Sequence, residues 1–187
     1  MDVFEAIFFR RSIRKFIDKP VEEEKIARIL DAARWAPSIG NLQECEFIIV
    51  DDLGKKIQLS EAALGQYWIS QASVVIVVLT KNDRVSRLYG KKADDFVKYD
   101  AAAAIQNMLL AAHALGLGAC WVSVFEEEAV ERILNIPSEL DVHALIPIGY
   151  PAEKPNPPHR RGIEFITYFN EYGNRWIKLK EKQTFPA

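Results

Sequence analysis

The chain has 187 residues, 49% apolar and 27% charged, which suits one folded domain with a full core and is short for two. A net charge of −2, from 24 basic and 26 acidic side chains, excludes a general nucleic-acid binder, so any anion site must be a local cluster of cations. Two cysteines far apart, Cys45 and Cys120, match no zinc or redox spacing and fit a reducing compartment. No apolar run reaches the roughly 20 residues that span a bilayer. The N-terminus carries an acid at position 2 and no signal-peptide core. The expectation is a cytoplasmic protein with no nucleic-acid or membrane partner.

The first predicted element is a short amphipathic helix over 2–11, from Val3, Phe4, Ile7 and Phe8 at helical spacing. It runs into Arg10-Arg11-Ser12-Ile13-Arg14-Lys15-Phe16, where four cations fall within six residues. Such a cluster either meets an anion or is solvated at a helix end, where cations are favoured anyway. If the helix ran on, Arg10 and Arg14 would share a face and converge on one phosphate. Pro20 and the acids Glu22-Glu23-Glu24 open a second helix over 22–35, which Pro37 stops. A strand at 47–50 and a helix at 53–63 follow. The β-branched run 73–79 suits a central strand buried on both faces.

Residues 100–117 are apolar nearly all round, interrupted by Gln106, Asn107 and His113, with Gly116 as the expected C-terminal cap. Such a helix should be buried on every side, either inside one chain or against a second copy; the small alanines favour the second copy. Then come a strand at 119–125, a helix at 126–134 and a strand at 142–148. Four prolines among residues 151–158 make an extended arm, with a further strand expected at 163–168. Helices interspersed with strands and few βαβ repeats indicate an α+β fold.

Four segments then align in order: 10–16, Ala36-Pro37-Ser38-Ile39-Gly40-Asn41-Leu42-Gln43, Gly116-Leu117-Gly118-Ala119-Cys120-Trp121-Val122, and Arg160-Arg161-Gly162-Ile163-Glu164. No one of them is specific, but their order and spacing are. In this the chain, from about residue 2 to 168, resembles the nitroreductase family of FMN-dependent oxidoreductases. The resemblance implies a three-layer α+β sandwich around a mostly antiparallel five-stranded sheet. It also implies an intertwined homodimer with an exchanged C-terminal strand and FMN at the interface. On this reading residues 1–168 form the flavin domain, and 169–187 a tail packing on the dimer.

By the same resemblance Arg10 contacts the FMN phosphate, while Arg11 and Ser12 line the phosphate and ribityl chain. Arg14 reaches the pyrimidine edge of the ring. Pro37, Ser38 and Ile39 touch the flavin from the other subunit, with Asn41 and Gln43 nearby. Gln66 falls near a flavin-contacting position. Val122, Ser123 and Val124 present backbone toward N5, and Arg160 or Arg161 closes on the phosphate. No metal is implied.

The implied reaction passes hydride from NADH or NADPH through flavin N5 to an electron-poor acceptor, a nitroaromatic, quinone or similar, at one shared stacking site. The alternatives are a flavin-cleaving, dehalogenating or azoline-oxidising relative, or a flavin-binding dimer without turnover. The family pattern breaks at Glu44-Cys45-Glu46, where Pro and an aromatic are usual, and Cys45 reads as a small buried residue. Residues 81–99, with Lys81, Arg84, Arg87, Lys91, Lys92 and Lys98, read as a partial lid or NAD(P)H-facing patch, or as a solvated loop and helix. His113, His143 and His159 read as structural or exposed. Tyr67 and Trp68 read as core, and Trp121 as core or pocket wall.

Overall fold

A computed structural model of the chain describes residues 1–176. It separates into two units, one from Met1 to Pro155 and one beginning at Asn156. In the first, the elements in chain order are α1 (Val3–Phe9), β1 (Phe16–Ile17), α2 (Glu23–Arg34), β2 (Cys45–Val50), α3 (Leu53–Ala62) and β3 (Val74–Lys81). These are followed by α4 (Asp83–Tyr89), α5 (Ala93–Ala114), β4 (Gly118–Ala119), α6 (Glu127–Leu134) and β5 (Leu140–Pro151).

The sheet has five strands in the order β1-β5-β3-β2, with β4 also on β5, and every strand pair is antiparallel. β3 lies inside it and is buried from Val74 to Thr80, as its unbroken apolar run requires. Alternate residues serve opposite faces. Val74, Ile76 and Val78 pack with α2 and α5, against Ile29, Ile105 and Met108. Val75, Val77 and Leu79 pack with α3 and α6, against Leu59 and Val130. The result is the three-layer α+β sandwich expected from the resemblance.

Four expectations need correction. α5 begins at Ala93 rather than 100, because its first turns are polar and hide the apolar run; Asp94 and Asp95 suit the positive helix start. α1 ends at Phe9 rather than 11; α5, with Gln106 and Tyr99 exposed and Leu110 half-buried, leaves open within one chain the face that the second-copy reading calls for. The strand expected at 119–125 shrinks to Gly118–Ala119 plus one bridge from Val122 to Leu145. Its ladder fails at Pro147, whose carbonyl accepts from the Cys120 N–H at 3.3 Å but whose nitrogen has no hydrogen to return.

The fourth correction lies in the second unit. The strand expected at 163–168 is a single 3-10 turn at Ile163–Phe165. After it the backbone bonds to itself in a tight loop, Phe169 N–H to Asn174 O at 2.7 Å and Trp176 N–H to Thr167 O at 3.1 Å. Arg175 stacks over Tyr168 there, 4.6 Å from the ring centre. Of the expected tail 169–187, residues 177–187 lie outside the described residues.

α5 ends as its glycine demands. Gly116 sits at φ 76°, its N–H donates to His113 O at 3.0 Å, and Leu117 N–H reaches back to Ala112 O at 2.9 Å. This is a Schellman closure, which a side chain at Gly116 would strain. Two residues later, Gly118 is required for a different reason. A Cβ there would lie 2.8 Å from three Ile13 side-chain carbons. We therefore expect Gly118→Ala to lower stability by about 1–3 kcal/mol through overpacking, measured as a shift in the denaturant midpoint at unchanged slope.

Candidate anion and ligand site

The cationic motif begins where α1 stops. Asp2 and Glu5 form a capping box at its start, each carboxylate accepting the other's N–H at 2.9 Å. At its end, Arg11 Nη1 donates to Phe8 O at 2.7 Å and Arg10 O at 2.8 Å, covering carbonyls that the helix leaves open. The helix therefore does not run on, and Arg10 and Arg14 do not share a helical face. The chain instead extends along β4: Ser12 bridges Ala119, and Ile13 N–H donates to Ala119 O at 3.1 Å. In an extended segment the period is two, so Arg10, Ser12 and Arg14 share a side while buried Ile13 takes the other.

Glu153, just past β5, clamps this segment. One of its carboxylate oxygens accepts the Arg14 N–H at 2.6 Å and the Lys15 N–H at 3.1 Å. Ala152 N–H donates to Lys15 O at 2.9 Å. The Arg14 guanidinium lies 5.7 Å from the Trp68 ring centre, a cation–π arrangement. Cys120 sits among these groups. Burial pushes its thiol up, while Arg14, a hydrogen bond with Ser12 and Arg10 pull it down and Glu153 adds a smaller push up.

Gln66 joins the same neighbourhood, donating from Nε2 to Ala63 O at 3.0 Å and Val124 O at 3.4 Å. Val122 is buried and exchanges both backbone hydrogen bonds with Leu145 at 3.0 Å. Ser123 and Val124 are exposed, and among the described residues their N–H groups enter no backbone hydrogen bond. Those amides are open to solvent. Trp121 is 40% exposed and Tyr67 56%, so neither is core; Trp68 is half-buried against the α3–α6 side.

Pro37, Ser38, Ile39, Asn41 and Gln43 form a second group on the loop between α2 and β2. Asp100 of α5 is buried, and its carboxylate accepts the Ile39 N–H at 3.0 and 3.1 Å. Burial raises its pKa, and that hydrogen bond opposes the shift. Ser38 Oγ accepts the Gln43 N–H at 3.1 Å. Gly40, Asn41 and Gln43 all have φ near 55°, a left-handed conformation that costs non-glycine residues. Pro37, Ser38, Gln43, Cys45 and Asp100 line a cavity of about 620 Å³ beside α2.

The irregular Glu44-Cys45-Glu46 stretch has a structural account. Glu44 is buried and pairs with Arg84 Nε of α4, while Arg84 Nη2 donates to Leu42 O at 2.7 Å. The acid thus ties the strained loop to the segment read as a lid or a solvated helix. Arg160 and Arg161 belong to the second unit, where they donate to His159 O at 3.4 Å and Phe165 O at 3.3 Å.

The structure therefore gathers Arg10, Ser12, Arg14, Gln66 and Val122–Val124 around β4. It sets Pro37 to Gln43 on a separate loop anchored by α4 and α5. The residues that sequence reasoning missed are Glu153, Asp100 and the Glu44–Arg84 pair. A lone acid between Pro151 and Pro155 was the one signal pointing to Glu153. Among the described residues no cluster of three or more His, Cys, Asp or Glu could hold a metal ion. Two guanidinium groups and a hydroxyl on one side of the segment form a donor set suited to an anionic group.

Comparison with known proteins agrees. The model of the nitroreductase family matches residues 7–70 and 51–150. A Methanothermobacter thermautotrophicus protein, under the provisional name NADH dehydrogenase/NAD(P)H nitroreductase, is 39% identical over 159 residues, covering 83% of this chain and 80% of its own length. A Rhodospirillum rubrum protein named 5,6-dimethylbenzimidazole synthase is 31% identical, covering 82% of this chain and 84% of its own length. The solved structure of the NADPH:FMN oxidoreductase from Vibrio harveyi complexed with NAD+ superposes with a TM-score of 0.83 at 25% identity, covering 90% of this chain and 77% of its own.

Two outcomes follow from the geometry. Glu153→Ala removes the shared acceptor of two exposed amides, which costs about 1 kcal/mol since water replaces it; amide exchange at Arg14 and Lys15 should accelerate accordingly. Burial, with Asp100 and Glu44 adding, pushes the Cys45 thiol up to about 11. A raised pKa keeps it protonated through neutral pH. Alkylation of Cys45 in the folded protein at pH 8 should run on the order of 100-fold slower than in the unfolded chain, rising as pH climbs. Mass spectrometry of the labelled peptide measures both rates.

Proposed function

The chain belongs to the nitroreductase family, and on that footing we propose that it is an oxidoreductase that holds FMN and uses NADH or NADPH to reduce an electron-poor acceptor. The observation that carries this reading is the single-sided row of Arg10, Ser12 and Arg14 beside the outward amides of Ser123 and Val124. When bound, FMN supplies the hydride relay at N5 between the nicotinamide and a nitroaromatic, quinone or similar acceptor. The chain's own groups do the rest. Arg10 and Ser12 hold the phosphate, with Arg11 fixing the helix end beside it.

Arg14, steadied by Trp68 and by Glu153 on its backbone, sets a cation at the pyrimidine edge, where it favours the reduced charge state of the ring. The Ser123 and Val124 amides, with Val122 behind them, face the central ring, and Gln66 holds their loop. Arg160 or Arg161 is the further cation we assign to the phosphate.

The functional form we propose is a homodimer. α1 exposes Val3, Phe4 and Ile7, at 60%, 64% and 45%, and Tyr99 of α5 is 66% exposed. The open apolar face of α1 is a surface for a second copy to cover, and Tyr99 is another. Pro37, Ser38 and Ile39 then complete the partner's flavin site, with Asn41 and Gln43 close by. β2 is an edge of the sheet, open to a strand from the partner's C-terminal segment. Residues 1–168 are the flavin domain on this reading, and the tail from 169 packs on the dimer. Two unpaired cysteines fit a cytoplasmic location, and no helix is long and apolar enough to cross a membrane among the described residues.

A second reading, flavin cleavage, rests on the relative named 5,6-dimethylbenzimidazole synthase. Anaerobic reduction of the purified protein with NADH or NADPH, then addition of an acceptor to one half and of dioxygen as oxidant to the other, separates the two. Bleaching of the flavin spectrum followed by its full return on adding an acceptor supports the reductase; loss of flavin with appearance of a benzimidazole supports the other. Arg10→Ala should weaken FMN binding about 10- to 100-fold, the worth of a charged hydrogen bond to phosphate. Fluorescence titration measures this, and unchanged affinity would remove Arg10 from the phosphate site.

A further inference from the structure

The loop from Ser38 to Gln43 stands on α4 and the first turns of α5. Val85, Ala93 and Val97 form a small buried cluster, and Ile39 and Leu42 of the loop pack on it. Tyr89 stands edge-on to Phe96, with 5.3 Å between ring centres. Its hydroxyl comes so close to Gly40 that a Cβ there would lie 3.0 Å away. The support is itself fixed at its base. Asn82, at the start of α4, donates from Nδ2 to Asp94 of α5, and Lys81 N–H donates to Glu44 O at 3.0 Å.

Arg84 makes the charged link between this support and the loop. Its Nε donates to the Glu44 carboxylate and its Nη2 to Leu42 O at 2.7 Å. The Glu44 side chain is 4% exposed and that of Arg84 60%, so the acid lies inside and the cation reaches in from the surface. A second buried acid, Asp100, holds the start of the loop through the Ile39 N–H. Burial raises its pKa, that hydrogen bond opposes the rise, and the Glu44 charge adds a push up. Two mutually repelling carboxylates thus hold the ends of a loop whose Asn41 and Gln43 already sit in left-handed backbone. Arg84 supplies the opposite charge and a donor for the Leu42 carbonyl. Glu44 stands at the break in the family pattern, and the usual residues there, Pro and an aromatic, offer no carboxylate to such a guanidinium.

We propose that Arg84 is a positioning residue of the flavin site: through Glu44 and Leu42 O it holds the loop in the shape that meets the partner's FMN, without touching the cofactor itself. This deepens the flavin and homodimer reading above and rests on it. A loop already in its binding shape meets the ligand at a lower ordering cost. Once released, only a fraction of the loops is competent, and the apparent dissociation constant rises by the inverse of that fraction.

The test compares the native flavoprotein with Arg84→Gln, Glu44→Gln and the double variant. Each is purified in excess FMN and diluted serially, and the released flavin is read by its fluorescence. The denaturant midpoint after flavin removal records what the pair adds to the fold itself. Arg84 lies largely at the surface, so Arg84→Gln should fold. It should weaken FMN binding about 10-fold, the scale of a hydrogen bond to a charged group. The double variant should bind no more weakly than Arg84→Gln alone, because the two side chains act through one clasp. A pair that served stability alone would lower the midpoint and leave the affinity of the folded protein unmoved. That result would overturn the inference, as would losses from the two single variants that simply add. Either outcome, with Arg10→Ala still weakening FMN binding, leaves the flavin site in place. Failure of the native protein to bind FMN would bring down the flavin reading, and this one with it.

Discussion

The structure depends on how closely the segment from Arg10 to Phe16 lies on the sheet. That approach needs a missing side chain at Gly118, since a methyl group would collide with Ile13. It needs a carboxylate from Glu153 to accept two amides that β4 is too short to reach. Repelling cations would not choose this layout unaided. Steric fit beneath and the Glu153 carboxylate on the Arg14 and Lys15 amides fix the backbone that carries Arg10 and Arg14. Such ordering lowers the cost of meeting an anion there.

The loop from Ser38 to Gln43 is organised on the same plan with other parts. Left-handed backbone at Gly40, Asn41 and Gln43 is strained for the two non-glycines. Asp100 holds its start by the Ile39 amide, and the Glu44–Arg84 pair holds its end. Both acids are buried, which would be unfavourable if they stood alone. Their presence explains why the expected Pro and aromatic can be replaced by Glu44 and Cys45. The position is a structural anchor, and burial pushes the thiol beside it up.

Much of this was legible in the chain. β3 announces itself through seven consecutive apolar or β-branched residues, and Gly116 marks the end of α5, because both depend on local chemistry. What was hidden depends on pairing across the fold. β1 is two residues long and exists only because Tyr150 and Pro151 lie opposite. The strand at 119–125 is lost because a proline far away in sequence withholds one donor. The reach of α1 was overestimated since Arg11 turns back to cap it, a choice no periodicity encodes. The four motif segments are visible in the sequence by their order, whereas Glu153, Asp100 and Arg84 act through partners 139, 61 and 40 positions distant.

The Schellman closure at Gly116 has a mechanical consequence. It leaves three residues, Leu115 to Leu117, between the end of α5 and β4, and the last of them is pinned by its own amide to Ala112. The start of the strand is therefore tied directly to the last turn of the helix. A tilt of α5, whatever presses on its outer face, is delivered to Gly118 and thence to the arginines lying across it.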